Sequence, residues 1–373
     1  MVRICSLAWI ILMVVGGPLW AAEPVLIGAL LCTTGQEAAE LGQKGLDGIR
    51  TAHKMQPTVL GRPVELKFAD TKSDKAEAAN AVARLLDKDK VAVVIGDMIS
   101  STSIAASAVA EGKGIPMVSP TATNPNVTAG RKFVFRVCFI DPLQGHVGAG
   151  IAKETLKANT AALIYDIAQD YCVGLAKFFE DSFTKGGGKI VAKAYYKSGD
   201  RDFRAQLSSI KAANPDLIYA PIYSTSCALV AKQAKELGIK APILAGDALH
   251  TQEFVELGGK DVEGILFTDH FHKNMIHNEL GKKFLAQYTK DVGKELEDSY
   301  TAMGADAYFL VLDAITRAGS TDPKKIRDAI VATKNFDGIS GKLSMNPDGN
   351  PSKSMVINKV QDGKFVYVKT VEP

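Results

Sequence analysis

Short apolar runs alternate with stretches of helical period along most of this chain, and few architectures accept that pattern. Residues 25–31, 64–68, 91–95 and 116–118 read as strands, with helical stretches at 38–55, 74–87 and 103–112 between them. In the first helix Leu41, Leu46, Ile49 and Ala52 fall on one face. Strands that are apolar throughout are those buried on both faces, as in a parallel sheet covered by helices. The pattern restarts after residues 133–136, with a helix at 143–156 and strands at 161–165, 190–196, 216–220, 242–245 and 264–268. Helices at 171–185, 203–212 and 227–237 separate them. Two such series of similar size predict an α/β protein of two Rossmann-like, doubly wound lobes. Helices at 276–292 and 301–318 follow, then one capped by Asp322-Pro323 that runs to about residue 333. The tail, 341–371, alternates as β ribbon with turns at 347–349 and 362–363.

Residues 1–22 read as a secretion signal. Arg3 precedes an apolar core at 7–15, Gly16-Gly17-Pro18 breaks it, and Ala21-Ala22 offers a small-residue cleavage site. The apolar run is short of the ~20 residues that a membrane span needs. Without Arg3, 43 basic residues face 41 acidic ones, and no basic block stands out, so nucleic acid is not expected as a partner. Beyond Cys5 the chain carries Cys32, Cys138, Cys172 and Cys227. An oxidising compartment permits disulfides among four cysteines in three pairings, and buried thiols fit the sequence equally well. Their spacing matches no zinc pattern.

The segment VAVVIGDMISSTS at 91–103 carries the first functional signal. A buried strand turns at Gly96 and enters a helix on Ser100, Ser101 and Thr102. The first N–H groups of a helix have no partner within it, so this is a place to hold an anion. A second hydroxyl-rich turn, Ser119-Pro-Thr-Ala-Thr123, follows the next strand. Turns at the carboxyl ends of neighbouring parallel strands converge on one ligand. A plain helix cap is the alternative for Ser100-Ser101-Thr102. No GxGxxG follows the first strand and no GxSxG elbow is present, so a binding protein is expected rather than an enzyme, with no cofactor. Asp269, His270, His272 and His277 suggest a metal site at first sight. The third histidine lies too far along the chain, and no metal is expected.

Six segments together carry a resemblance. IGDMISSTSIAASAVAEGKGIPMVSPTATNP, FRVCFID, LIYDIAQDYCVGLAKFF, PDLIYAPIY, ILAGDAL and VEGILFTDHF occur in this order. They resemble the periplasmic ligand-binding proteins of branched-chain amino acid ABC transporters, of the leucine/isoleucine/valine-binding type. The resemblance implies a type I periplasmic-binding fold, with three crossovers near residues 138–142, 270–274 and 338–346 and the ligand in the inter-lobe cleft. It implies one lobe of residues 23–140 plus 274–338 and another of 141–273 plus 339–373. It assigns Ser100 to the ligand carboxylate, and Thr121, Ala122 and Thr123 to backbone and hydroxyl contacts. It assigns Tyr171 and Tyr223 to the second lobe's side of the pocket, and Asp247 to the ligand ammonium. Met98, Ile99, Leu41, Tyr300 and Ala302 would form the wall. Asp247 alternatively caps a helix before Ala248-Leu249. The sequence departs from the pattern at Cys32, at Asp97 beside the carboxylate site, and at Asp247, where some relatives have glutamate. The implied function is a monomeric periplasmic protein that delivers a neutral amino acid to the membrane permease of an ABC importer. A different small carboxylate, such as an aromatic acid or an amide, and a role as ligand sensor are the alternatives.

Overall fold

The computed structural model describes residues 22–35 and 39–372. The secretion signal therefore lies almost entirely outside the described residues. The first lobe opens with β1 (Val25–Leu31), buried along nearly its whole length. It continues with α1 (Ala39–Met55), the hairpin β2 (Thr58–Val59) and β3 (Arg62–Asp70), and α2 (Lys75–Asp87). Then come β4 (Val93–Gly96), α3 (Ser100–Lys113), β5 (Met117–Ser119) and β6 (Val134–Arg136). The sheet order is β2-β3-β1-β4-β5-β6, parallel except for the β2–β3 hairpin. Asp74 caps α2 by accepting a hydrogen bond from the Glu77 N–H at 2.9 Å, the spacing Asp-x-x-Glu being that of a capping box.

The second lobe repeats the winding. α4 (Asp141–Gly150) leads into β7 (Thr160–Asp166), α5 (Asp170–Lys185), β8 (Lys189–Tyr196), α6 (Arg204–Ala213) and β9 (Leu217–Ala220). α7 (Ser224–Glu236), β10 (Ile243–Ala245), α8 (Gln252–Gly258) and β11 (Leu266–Asp269) complete the unit. The helix expected over 143–156 ends as α at Gly150 and finishes in a π-turn, Ile151–Thr155. α8 went unread in the sequence; Thr251 caps it by accepting from the Phe254 N–H. Asp247 lies in the loop after β10 and caps no helix.

α9 (Glu279–Val292), α10 (Ser299–Ala318) and α11 (Pro323–Val331) return to the first lobe's side. α10 lies against α1 so closely that a Cβ on Gly48 would sit 1.9 Å from the Thr301 carbonyl oxygen, so glycine is required there. The expected tail ribbon divides between two sheets. β12 (Phe336–Gly338), β13 (Gly341–Met345) and β14 (Pro351–Lys353) form a small antiparallel sheet. β15 (Met355–Gln361) and β16 (Lys364–Val371) extend the second lobe's sheet, whose order is β16-β15-β11-β10-β9-β7-β8. β1 is thus flanked by β3 and β4, and β7 by β8 and β9, the arrangement that leaves a crevice at the carboxyl ends of the strands. Residues from the loops that follow β4, β5, β9 and β10, and from the start of α5, line that crevice.

Candidate functional site

A small cavity lies between the lobes. Leu41, Met98, Ile99, Ser100, Thr121, Tyr171, Tyr223, Asp247, Ala248 and Tyr300 line it. The structure therefore brings together Met98, Ile99, Ser100, Thr121, Tyr171, Tyr223, Asp247 and Tyr300, which lie up to two hundred residues apart in sequence. Ala122 and Thr123 stand behind this ring. The Ala122 N–H donates to Ser119 Oγ at 3.0 Å and its carbonyl accepts from Arg136 Nη1 at 2.5 Å, so both groups are engaged within the first lobe. Thr123 Oγ1 is buried without a protein partner. A larger hollow near the crossovers, lined by Asn274, His277, Ser344, Ser354 and Tyr367 among others, contains no buried carboxylate.

The three hydroxyls that open α3 do three different jobs. Ser100 borders the cavity, and its Oγ accepts from the Asn124 N–H at 3.2 Å. Ser101 Oγ accepts from the Asp170 N–H of the opposite lobe at 2.9 Å. Thr102 Oγ1 donates to Asp97 Oδ2 at 2.6 Å. None is the helix cap, a position held by Ile99 without a side-chain bond. The cross-lobe bond of Ser101 is one of several. Asn124 Nδ2 donates to the Asp170 carbonyl at 2.8 Å, Lys75 Nζ lies 2.7 Å from Asp170 Oδ2, and Tyr300 OH donates to the Asp247 carbonyl at 2.8 Å.

Asp97 turns away from the cavity. Its carboxylate is fully buried and accepts from the Cys32 N–H at 2.9 Å, the Met98 N–H at 2.5 Å, Thr71 Oγ1 at 2.7 Å and Thr102 Oγ1. It fixes the strand-to-helix turn and places no negative charge in the site. Burial nevertheless raises its pKa, outrunning these four bonds.

The second lobe supplies the acidic side. The Asp247 N–H donates to Gln144 Oε1 at 2.9 Å, and Gln144 Oε1 also accepts from Thr268 Oγ1 at 2.5 Å. Asp247 Oδ2 lies 2.7 Å from His270 Nε2, while Oδ1 is buried with no protein partner. A second carboxyl, unread in the sequence, belongs to Asp141 at the start of α4. It is fully buried, and its Oδ2 is unpartnered. Burial first, and the charge of Asp247 second, push its pKa up to about 8. Tyr171 OH is also buried and unpartnered, and its ring tilts against Tyr223 with centroids 5.7 Å apart. Burial holds both phenols well above their ordinary pKa, so they remain neutral donors.

The histidines diverge. His270 faces Asp247 and Phe139, His272 lies between His250 and Tyr367, and His277 is exposed near Asp337. No group of three metal-ligating side chains gathers among the described residues. Cys138 and Cys227 are buried thiols that burial pushes up to about 12.

Residues 24–364 match the model of a periplasmic binding protein family. The chain belongs to that family. The family is one of binding proteins. The chain is 30% identical to the Leu/Ile/Val-binding protein homolog 3 of Brucella melitensis, over 93% of this chain and 94% of that one. Among solved structures, the leucine-binding protein LivK of Thermotoga maritima superposes with a TM-score of 0.91 and 45% identity, covering 94% of this chain and 99% of that one. The substrate-binding protein LivJ of Streptococcus pneumoniae, solved in complex with isoleucine, gives 0.87 and 30%, covering 94% and 100%. The family's bilobed fold is the fold described above, with its cleft at the carboxyl ends of both sheets.

Proposed function

We propose that this protein binds a neutral, branched-chain amino acid in the cleft and presents it, from the periplasm, to the permease of an ABC importer. One observation carries the reading: Asp247, whose buried Oδ1 has no protein partner, lines the same cavity as the opening turn of α3 on the other lobe. The first offers an acceptor for an ammonium and the second donors for a carboxylate. Only a ligand bearing both groups spans the two lobes. Leu41, Met98, Ile99 and Ala248 leave an apolar wall for its side chain. The relatives named for leucine, isoleucine and valine support the same class. An amine-free carboxylate would leave Asp247 Oδ1 unpaired in a closed cleft, at a cost of several kcal/mol. Closure around the ligand then forms the surface that a permease reads.

A thermal-shift screen of residues 23–373 against amino acids tests this. Leucine, isoleucine or valine at about 100 times its Kd should stabilise the protein by ~2.7 kcal/mol. Shifts with aromatic or aliphatic carboxylates alone would reject the amino acid.

The Asp141 carboxyl adds a pH signature. In the empty cleft it keeps its proton up to about pH 8. An ammonium paired with Asp247 cancels the neighbouring charge that helps to raise this pKa, which favours the ionised form, so binding expels a proton. Mass action then weakens binding as pH falls below about 8, by up to tenfold per unit for one proton. Titration calorimetry at pH 7 in buffers of different ionisation enthalpy should show release of nearly one proton, and Asp141→Asn should remove it. Gly246→Ala is expected to weaken leucine binding roughly tenfold or more, because overpacking of this kind typically costs about 1–3 kcal/mol. The added Cβ would sit 2.2 Å from Tyr171 OH and 2.7 Å from Leu175 Cδ2, forcing Tyr171 off its present position. Unchanged affinity would show that Tyr171 has room to move.

A further inference from the structure

His270 is the first residue beyond β11, where the chain leaves the second lobe for the first. Its side chain is fully buried, with Nε2 2.7 Å from Asp247 Oδ2. That approach is a close polar contact and not an aligned hydrogen bond, and neither ring nitrogen has a hydrogen-bonding partner among the described residues. A buried imidazole with a single polar neighbour needs a reason, because burial of an unpaired polar group is costly. The other oxygen of the carboxylate, Oδ1, is buried without a protein partner, and Asp247 lines the cavity. One oxygen is thus taken by His270 and the other is left for the ligand. The imidazole is also packed on Phe139, with ring centroids 4.4 Å apart, and Phe139 lies in the stretch that carries the chain from β6 to α4. Two of the chain's passages between the lobes therefore meet at the ring that touches the amine-facing carboxylate. Below this ring, Asp269 holds the backbone in place. Its Oδ1 accepts from the His270 N–H at 2.7 Å, and its Oδ2 lies 2.5 Å from His250 Nδ1 and accepts from Asn358 Nδ2 at 2.7 Å.

We propose that His270 is the positioning residue for amine recognition: it holds the short Asp247 side chain with Oδ1 directed at the ligand ammonium and ties that orientation to the inter-lobe passages. An aspartate places its carboxylate one methylene nearer its own backbone than a glutamate does. The close contact at one oxygen restrains rotation of the carboxylate, and a polar contact to a charged group that tightens on ligand binding carries roughly a tenfold effect on affinity. His270 does not touch the ligand in this scheme; its effect runs through Asp247. The proposal rests on the amino acid reading above.

The test compares L-leucine with 4-methylpentanoate, the same molecule without its amine, by calorimetry on the wild-type protein, His270→Phe and His270→Gln. The phenylalanine keeps the packing against Phe139 and removes the nitrogen; the glutamine returns an N–H near the Nε2 position. His270→Phe should raise the Kd for leucine at least tenfold and that for 4-methylpentanoate less than twofold, with His270→Gln recovering most of the loss. In an Asp247→Ala background, His270→Phe should add less than a twofold change. An equal loss for both ligands, or no recovery with glutamine, assigns His270 a purely structural role and overturns the proposal. A His270→Phe protein with unchanged leucine affinity overturns it too. If wild-type protein prefers 4-methylpentanoate to leucine, the amino acid reading itself fails and takes this proposal with it. Unfolding midpoints without ligand, measured on each variant, separate loss of fold from loss of recognition.

Discussion

In Asp247→Ala, leucine binding should weaken by about 2–5 kcal/mol, roughly 30-fold to several thousand-fold in Kd. The reasoning is one of pairing. A ligand ammonium enters a closed cleft from which water has been expelled, and an ammonium there needs an acceptor. Among the cavity-lining side chains only Asp247 carries a carboxylate, and its Oδ1 is the oxygen left open. Tyr171 and Tyr223 stay neutral under the influence of burial and cannot supply the missing charge. Loss of Asp247 also leaves His270 Nε2 without its single polar neighbour, so the fold itself should lose a little stability. Calorimetry should show the loss for leucine and little change for 4-methylpentanoate. Equal or improved leucine binding would mean that the ligand carries no amine at this position.

The second large effect falls on stability. Asp97→Ala is expected to lower the unfolding free energy by at least about 3 kcal/mol, because each buried group stranded without its hydrogen bond costs about 1–3 kcal/mol. Four donors lose their acceptor at once: the N–H groups of Cys32 and Met98 and the hydroxyls of Thr71 and Thr102. These come from the ends of β1, β3 and β4 and from the first turn of α3, so the carboxylate ties together the floor of the first lobe's half of the site. Asp97→Asn keeps an acceptor oxygen and should cost less. Chemical denaturation read by circular dichroism measures both. A change in Asp97→Ala below 1 kcal/mol would show that water or rearranged backbone replaces the four bonds.

Much of the architecture is legible because its causes are local. Apolar runs such as Val25–Leu31 and Val93–Gly96 must be covered on both faces, and the helical stretches between them carry one apolar face each. Cap signals are equally local, so Asp74 and Asp322 mark helix starts correctly. Ser100, Thr121, Tyr171, Tyr223 and Asp247 could be named because each follows a strand at its carboxyl end and matches a family motif. Their convergence on one cavity is what the doubly wound order then supplies.

The remainder depends on distant partners. Asp97 reads as an awkward second charge because the groups that satisfy it, on Cys32 and Thr71, lie 65 and 26 residues away. Asp141 and Gln144 sit in a helix start with nothing nearby to mark them; Gln144 meets Asp247 across 103 residues. Three hydroxyls in a row suggest one anion site, yet Ser101 serves the opposite lobe and Thr102 serves Asp97. His270 and His272 suggest a common face only while the strand continues. β11 ends at Asp269, and beyond it the two rings part. Short α8 escapes notice because seven residues give too little period to read.

The central claim is that the cleft recognises both charges of a zwitterion, one on each lobe. The most direct test is calorimetry of the mature protein with L-leucine, with 4-methylpentanoate, which lacks the amine, and with 3-methylbutylamine, which lacks the carboxylate. The account predicts that leucine binds at least tenfold more tightly than either half-ligand, since each charged contact contributes roughly 1.5–3 kcal/mol. If 4-methylpentanoate binds as tightly as leucine, the clamp does not exist and the protein carries a simple carboxylate.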